Sequence, residues 1–197
     1  MGESEFPGPA LYLSDHFVAI ELSLDLSAVD RHHPIVESAA PSIVLEWADE
    51  SDTVAFAQRW ARAPSLSNAF IALHGDLGAG KTTLVRHLLQ ALGVTGRIKS
   101  PTYAVVEPYE LPELNIWHFD FYRFNDAREW EEAGFRDIFA SPGLKLAEWP
   151  DKAAGMLPVA DVTLHLHTLD DSRREVRLTA GTPAGLLLIQ AAQGARA

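Results

Sequence analysis

The feature that most constrains the fold of this chain is residues 75–82, which read Gly-Asp-Leu-Gly-Ala-Gly-Lys-Thr. They match the pattern G-x-x-x-x-G-K-[ST], in which glycines allow successive backbone N–H groups to turn inward around a phosphate chain. We expect Lys81 to bridge the β- and γ-phosphates of a bound nucleotide and the Thr82 hydroxyl to ligate Mg²⁺. The expected nucleotide-binding positions of the loop are Asp76, Leu77, Gly78, Ala79, Gly80, Lys81, Thr82 and Thr83.

The segments on either side of the loop are the strand and the helix that a phosphate-binding loop requires. Residues 69–73 form a continuous apolar run, typical of a strand that is covered on both faces in a parallel sheet. After Lys81, apolar side chains recur at helical spacing up to Leu92, and Gly93 is suited to end the helix. The N-terminus of this helix would favour a bound phosphate. A dinucleotide-binding loop would need G-x-G-x-x-G, which this segment lacks.

The remaining hydrophobic pattern predicts an α/β fold, a P-loop NTPase with a central, mostly parallel sheet flanked by helices. Further strands are predicted around residues 43–45, 114–120, 144–148, 162–166 and 176–178. The last two flank a polar turn and are expected to form an antiparallel C-terminal hairpin. Helices are predicted after a cap at Ser51 or Asp52, and over residues 125–139 as one amphipathic helix.

The domain organisation follows from length and from a shift in composition. A chain of 197 residues suits one main domain, which we place at 42–180, with a C-terminal tail over 181–197. Residues 1–41 form an N-terminal extension with seven acidic residues and one basic residue. Alternating residues 18–26 suit an extra edge strand, and a disordered arm is the alternative. The histidines at 32 and 33 lie in a Pro-flanked linker and are expected to be solvated.

Charge and composition exclude several classes of function. The net charge of −11 predicts a surface that repels phosphate backbones, so we expect no direct DNA binding and weak intrinsic affinity for RNA. The absence of cysteine excludes disulfides and thiolate metal sites. No apolar run is long enough to span a bilayer, and the acidic start does not resemble a secretory signal. We therefore expect a cytoplasmic protein without a membrane partner.

Two acidic residues stand where a P-loop protein would need carboxylates for catalysis. Asp120 and Glu148 each end a predicted strand, and ligands of open α/β sheets gather at the carboxyl ends of the strands. Metal-assisted hydrolysis needs such groups to hold the ion and its waters. The alternative is that either acid only caps the element that follows. Thr102 lies in the polar loop 97–103, where its hydroxyl could reach Mg²⁺ or the γ-phosphate, although the loop could also be an ordinary turn.

Four motifs in one order carry a resemblance to a known family. They read GDLGAGKTT at 75–83, SPTY at 100–103, HFDFYR at 118–123 and EWP at 148–150. Together they resemble TsaE, also called YjeE, the bacterial ATPase family that serves synthesis of threonylcarbamoyladenosine at position 37 of tRNA. The resemblance covers roughly residues 43–180, and the acidic extension has no counterpart in it.

The resemblance implies an ATPase that works with the TsaB and TsaD proteins and meets tRNA only through that complex. It implies ATP and Mg²⁺ as cofactors, and hydrolysis that is weak without the partners. Lys81, Thr102, Asp120 and Glu148 match the family's catalytic positions, and Thr82, Asp120 and Glu148 match its metal contacts. Trp149 and the region of Asp52 and Thr53 are candidates for contact with the adenine on family grounds alone.

Two other functions remain open at the level of sequence. A small-molecule kinase could use the same loop with Asp120 as a base, and it would need arginines to clamp the transferred phosphate. The available arginines are Arg128, Arg136, Arg173 and Arg174. A nucleotide-dependent binding module or a GTPase is the other alternative, but no Asn-Lys-x-Asp sequence for reading guanine occurs in the chain.

Overall fold

The computed structural model describes residues 40–125, 127–170 and 172–193. The predicted strand at 18–26, the histidines at 32 and 33 and most of the acidic extension lie outside the described residues. The described residues group as one compact unit, which contains the phosphate-binding loop. No helix in the described ranges has the length and apolar character needed to cross a membrane.

A seven-stranded sheet and five α-helices make up the described domain. The strands are β1 (Ser42–Trp47), β2 (Phe70–His74), β3 (Val106–Leu111), β4 (Leu114–Asp120), β5 (Leu144–Glu148), β6 (Val162–Thr168) and β7 (Arg174–Ala180). The helices are α1 (Glu50–Ala61), α2 (Lys81–Ala91), α3 (Ala127–Glu132), α4 (Phe135–Ala140) and α5 (Pro183–Gln193). Two short 3₁₀ turns, Pro64–Asn68 and Pro150–Ala153, complete the set.

The strand order places the phosphate-binding loop near the centre of the sheet. The order is β1-β7-β6-β2-β5-β4-β3, and β2 pairs in parallel with both β5 and β6. Strand β4 pairs in parallel with β5, whereas β3, β7 and β1 each join the sheet by an antiparallel pairing. The carboxyl ends of β2, β4 and β5 therefore meet at one edge, where the loop after β2 begins. The pairing of β6 with β7 is the expected hairpin.

Helices cover the two faces of the sheet, and the alternation of side chains along each strand decides which face a residue occupies. One apolar cluster joins the sheet to α1, α2 and α5, and a second, aromatic cluster joins it to α3 and α4. In β4, Ile116 belongs to the first cluster and Phe119 to the second. His118 and Asp120, at even positions like Ile116, therefore point to the face on which α2 packs.

Three predicted elements differ from the structure. The single helix predicted over 125–139 is wrong, because the chain forms α3 and α4 with Gly134 between them in a left-handed conformation, φ 68°. The cap of α1 is Asp49, whose side chain accepts a hydrogen bond from the backbone N–H of Ser51, rather than Ser51 or Asp52. Strand β3 was not predicted, since Pro108 and two glutamates hide its pattern, and these residues suit an edge strand.

The segment 181–197, treated above as a tail, contains the well-packed helix α5. Leu188 and Ile189 of α5 are buried in the first apolar cluster. The indole N–H of Trp60 in α1 donates to the Leu188 carbonyl oxygen at 3.0 Å. The helix therefore belongs to the domain core. The sequence did not predict it because apolar residues occur on every side of this helix, so no helical periodicity of apolar and polar residues stands out.

Candidate nucleotide-binding site

The conformation of the loop depends on its glycines. Gly75 has φ 138°, and a Cβ there would lie 2.4 Å from the carbonyl oxygen of Leu166 in β6. Gly80, with φ 106°, is the N-cap residue that immediately precedes α2. Any other residue at Gly75 would be strained and would collide with β6, so the loop can turn away from β2 only with glycine there. The α2 N-terminus then directs its free N–H groups at the loop.

Lys81, the first residue of α2, is held against the loop. Its side chain is 4% exposed, and its Nζ donates to the carbonyl oxygens of Gly75 and Asp76 at 2.7 and 2.8 Å. The same Nζ lies 4.1 Å from the ring centroid of Trp149. Burial lowers the pKa of Lys81, and the charges of Glu148, Asp120 and Asp76 oppose that shift. The ammonium is thus partly desolvated and close to acidic groups, where a phosphate chain would add favourable charge.

Trp149, whose ring lies over Lys81, has its backbone in the left-handed region, with φ 56°. Such a conformation is uncommon for a bulky residue and costs free energy. The backbone N–H of Trp149 donates to the Leu73 carbonyl oxygen at 3.2 Å, which ties the end of β5 to β2. At the end of β5, Trp149 therefore covers the lysine.

Glu148 and Thr82 are in direct contact. The Thr82 hydroxyl lies 2.8 and 2.9 Å from the two carboxylate oxygens of Glu148, which share its single hydrogen. Glu148 is 2% exposed, and its Oε1 is also 2.9 Å from Nε2 of the fully buried His118. The last residue of β5 thus reaches the second residue of α2. His118 was not singled out in the sequence, although it opens the HFDFYR motif.

Asp120 binds the loop that contains Thr102. The Thr102 hydroxyl donates to Oδ2 of Asp120 at 2.6 Å, and the Ser100 hydroxyl donates to the same oxygen. The other carboxylate oxygen accepts from the backbone N–H of Tyr122 at 2.9 Å. Asp120 therefore fixes both the 97–103 loop and the turn that follows β4. Ser100 is a further site residue that the sequence analysis did not select.

One cavity, which we call the Lys81 cavity, collects the predicted catalytic groups. It has a volume of about 310 Å³ and lies on the carboxyl edge of the sheet. Its walls include Leu77, Gly78, Gly80, Lys81, Thr82, Thr83, Ser100, Thr102, Asp120, Tyr122, Glu148 and Trp149. Of the predicted loop positions, Asp76 contributes its carbonyl oxygen to Lys81, and Ala79 faces the opposite side of the loop.

A second cavity, the Thr53 cavity, lies on the opposite side of the same loop. It also has a volume of about 310 Å³ and shares Gly78, Gly80 and Thr83 with the first. Its other walls are Trp47, Asp49, Glu50, Thr53, Ala79, Leu166, Ser172 and Arg174. Arg174 donates from Nε to the Ala79 carbonyl oxygen at 3.2 Å, which ties β7 to the loop. Thr53 and Trp149, both candidates for adenine contact, thus line different cavities.

The donor set in the Lys81 cavity fits Mg²⁺. Thr82, Asp120 and Glu148 offer hydroxyl and carboxylate oxygens, which are the ligands that Mg²⁺ prefers. Within the described ranges, no three acidic, histidine or cysteine residues form a group that could hold a metal ion. The usual arrangement for Mg²⁺ at nucleotide sites is one or two carboxylates that share the ion with substrate phosphates.

Comparison with known proteins gives the family. A family model described as "Threonylcarbamoyl adenosine biosynthesis protein TsaE" matches residues 47–176, more than half of the chain. The chain belongs to the TsaE family. It is 46% identical over 121 residues to the tRNA threonylcarbamoyladenosine biosynthesis protein TsaE of Haemophilus influenzae, covering 61% of this chain and 76% of that protein. The TsaE protein of Bacillus subtilis is 34% identical over 110 residues, with 56% and 68% covered.

A solved structure confirms the fold of this TsaE-family chain. The crystal structure of YdiB from Bacillus subtilis superposes with a TM-score of 0.64 at 25% sequence identity, covering 78% of this chain and 95% of YdiB. The predicted α/β class and the resemblance to TsaE are therefore both confirmed. The names of the relatives connect the TsaE family with tRNA threonylcarbamoyladenosine biosynthesis.

The arginines that a kinase would need do not reach the Lys81 cavity. Arg173 pairs with Asp170 at 2.7 Å and with Glu46 at 3.1 Å, and Arg174 lines the Thr53 cavity. Arg128 and Arg136 lie on α3 and α4. None of the four is among the residues that line the Lys81 cavity. The geometry of this TsaE-family site therefore gives the kinase hypothesis no support.

Proposed function

We propose that the chain is a Mg²⁺-dependent ATPase that serves tRNA N6-threonylcarbamoyladenosine modification together with TsaB and TsaD. The observation that carries the proposal is the contact of Thr82 with Glu148 beside the buried Lys81. A hydroxyl at the start of α2, a strand-end carboxylate and a loop lysine are the groups that a P-loop NTPase uses on the metal and the phosphates. Their convergence in one cavity supports hydrolysis beyond simple binding.

Each group in the Lys81 cavity has a separate role in this proposal. Lys81 and the loop N–H groups bind the β- and γ-phosphates and stabilise the charge that develops there. Thr82, Glu148 and Asp120 would hold Mg²⁺, which neutralises phosphate charge when it is bound. Glu148 also orients the attacking water, because its carboxylate is buried and held in one position. Thr102, bonded to Asp120, links the 97–103 loop to the state of the nucleotide.

The nucleoside would lie in the Thr53 cavity. This cavity touches the same loop glycines as the Lys81 cavity, so a phosphate chain on the loop can connect the two. Its walls combine the indole of Trp47 with the polar groups of Thr53 and Arg174, the mixture of apolar surface and few polar groups that suits a nucleoside. We prefer ATP to GTP because the chain lacks the Asn-Lys-x-Asp element.

The role in tRNA modification follows from the family and from charge. With a net charge of −11, the chain is poorly suited to bind tRNA by itself, so TsaB and TsaD would supply the RNA contact. The proposal places the protein in the cytoplasm, where tRNA and ATP occur together. Hydrolysis is expected to be slow for the isolated chain and faster in the complex.

The test is nucleotide hydrolysis with and without purified TsaB and TsaD. The proposal expects γ-phosphate release to water that depends on Mg²⁺ and rises when the complex forms. If the complex neither forms nor changes hydrolysis, the partner assignment is wrong. Transfer of labelled γ-phosphate to a metabolite would instead show a kinase, and a preference for GTP in competition would show a GTPase.

A further inference from the structure

We propose that His118 is a positioning residue for Glu148: its imidazole donates a hydrogen bond from Nε2 and fixes which carboxylate oxygen is left for the chemistry. The inference rests on the proposed function, in which Glu148 holds the metal and orients the water. His118 does not line either cavity on the phosphate-binding loop, so it would act through Glu148 and not by touching the nucleotide.

The sheet brings His118 and Glu148 together. In the parallel pairing of β4 and β5, Asp120 is opposite Glu148 and His118 is opposite Leu146. His118, Asp120, Leu146 and Glu148 share the face on which α2 packs, because side chains two apart on a strand point the same way. The Glu148 side chain therefore lies diagonally one step beyond His118, and the distance from Nε2 to Oε1 is 2.9 Å.

The surroundings decide which nitrogen carries the hydrogen. A carboxylate only accepts hydrogen bonds, so Nε2 must be the donor to Glu148. The other nitrogen, Nδ1, is buried and has no hydrogen-bond partner among the described residues. A hydrogen on Nδ1 would be a buried donor without an acceptor, which is costly. We therefore assign a hydrogen to Nε2, which donates it to Oε1 of Glu148.

The two oxygens of Glu148 are unequal as a result. Oε1 accepts from His118 and lies within reach of the single Thr82 hydroxyl hydrogen, whereas Oε2 has only that shared hydrogen. Oε2 therefore keeps capacity for a water or a metal ion. Since Glu148 is buried and held from two sides, its carboxylate cannot rotate freely. Such fixation by an outer partner commonly affects metal affinity or activity by 10- to 100-fold.

The first test compares two substitutions that differ in the donor. His118→Phe fills the space without a hydrogen-bond donor, and we expect about a 10- to 100-fold loss of kcat with nucleotide Kd changed by less than about threefold. His118→Gln restores an N–H near the position of Nε2 and should recover most of the loss. Equal loss in both variants, or loss of affinity in place of kcat, would overturn the proposal.

A matched control separates positioning from general damage to the strand. Ile116→Val removes one methyl group from the same buried face of β4 and carries no donor. We expect it to lower the melting temperature while kcat stays within twofold of the original protein. Loss of kcat in Ile116→Val as large as in His118→Phe would show that packing, and not the hydrogen bond, is responsible.

A double-mutant comparison tests whether His118 acts through Glu148. In a Glu148→Gln background, His118→Phe should cause no further loss of kcat, because the carboxylate to be positioned is gone. Losses that multiply would contradict the proposal. The Mg²⁺ concentration needed for half-maximal nucleotide binding provides a second measurement. It should rise in His118→Phe and in Glu148→Gln alike, while the nucleotide Kd at saturating Mg²⁺ stays within about threefold.

A spectroscopic measurement keeps the inference separate from the proposed function. ¹⁵N NMR of the histidine rings should show a hydrogen on Nε2 of His118, and Glu148→Ala should change that signal. If the protein hydrolyses no ATP, the proposed function fails, whereas the NMR signal and the Mg²⁺ dependence of binding still test the contact. A ring that carries a hydrogen on Nδ1 and none on Nε2 would overturn it.

Discussion

The two sides of the phosphate-binding loop differ in what builds them. The Lys81 cavity is formed by hydroxyl and ionisable side chains at the ends of β4 and β5 and at the start of α2. The Thr53 cavity is formed by β1, α1 and the hairpin of β6 and β7, and Trp47 and Leu166 give it apolar walls. In our proposal, hydrolysis takes place in the Lys81 cavity and the nucleoside is bound in the Thr53 cavity. The phosphate-binding loop contributes residues to both cavities.

The largest effect is expected at Lys81, the residue that would carry the positive charge for the phosphates in the Lys81 cavity. Lys81→Ala should weaken ATP binding by about three orders of magnitude, roughly 4 kcal/mol, because the phosphates would lose a partly desolvated charge partner. Isothermal titration with ATP and Mg²⁺ measures it. Lys81→Arg is the control that keeps the charge and should retain part of the affinity. Near-normal binding by Lys81→Ala would mean that the loop N–H groups alone carry the phosphates.

The next effect should be confined to the Lys81 cavity. Glu148→Gln and Asp120→Asn should each lower kcat by roughly 100-fold while nucleotide Kd stays within a few-fold, because a developing charge or an ordered water loses its partner. Steady-state hydrolysis and equilibrium titration on the same preparations give both numbers. If either variant loses affinity as strongly as Lys81→Ala, catalysis and binding are not divided as we propose.

A smaller and opposite pattern is expected in the Thr53 cavity. Thr53→Leu would add bulk to a wall of this cavity and should raise the Kd for ATP by about tenfold, or about 1.4 kcal/mol, with little change in kcat at saturation. Leucine is also acceptable in the helix, so α1 should persist. Competition between ATP and GTP in this variant checks whether the cavity reads the base. A fall in kcat with unchanged Kd would reverse the assignment of the two sides.

The same comparison explains how much the sequence could predict. The Lys81 cavity was predictable because its parts carry local signals: a glycine loop, and acids at the ends of apolar strands, which a parallel sheet brings to one edge. The Thr53 cavity depends on the antiparallel pairing of β1 with β7, a contact between residues more than a hundred positions apart. Nothing near Trp47 or Arg174 in the sequence indicates that partner.

Buried polar groups set a second limit on prediction. His118 lies between apolar and aromatic residues in β4. It becomes part of the site only through its diagonal contact with Glu148 in β5. Ser100 likewise becomes informative only when Asp120 is placed beside it. Tertiary neighbours also decided the break between α3 and α4, where Gly134 permits the turn that packs Phe135 into the aromatic cluster. Periodicity alone could not supply these contacts.

The smallest effect concerns Asp49, which lines the Thr53 cavity but is engaged in capping α1. Its Oδ1 accepts from the hydroxyl and the backbone N–H of Ser51, and these bonds lower the pKa of Asp49 below its ordinary value of 3.8. We therefore expect Asp49→Ala to lower the melting temperature by a few degrees while changing ATP affinity by less than about twofold. A large loss of affinity would show that the carboxylate also contacts the nucleotide.

The pH dependence of protein stability tests whether Asp49 acts as the cap of α1 or as a contact to the nucleotide. Because the folded pKa of Asp49 lies below the unfolded one, its contribution to stability is fully present above about pH 3.8 and is lost as the pH falls through the lower folded value. Asp49→Asn keeps a capping oxygen that does not titrate in this range. The free energies of unfolding of the two proteins, measured by urea denaturation, should therefore converge or cross as the pH falls below 3.8. If the difference in free energy of unfolding between the two proteins stays constant with pH, the Ser51 hydrogen bonds do not favour the charged form of the Asp49 carboxylate. The capping role that we assign to the charged carboxylate would then be wrong.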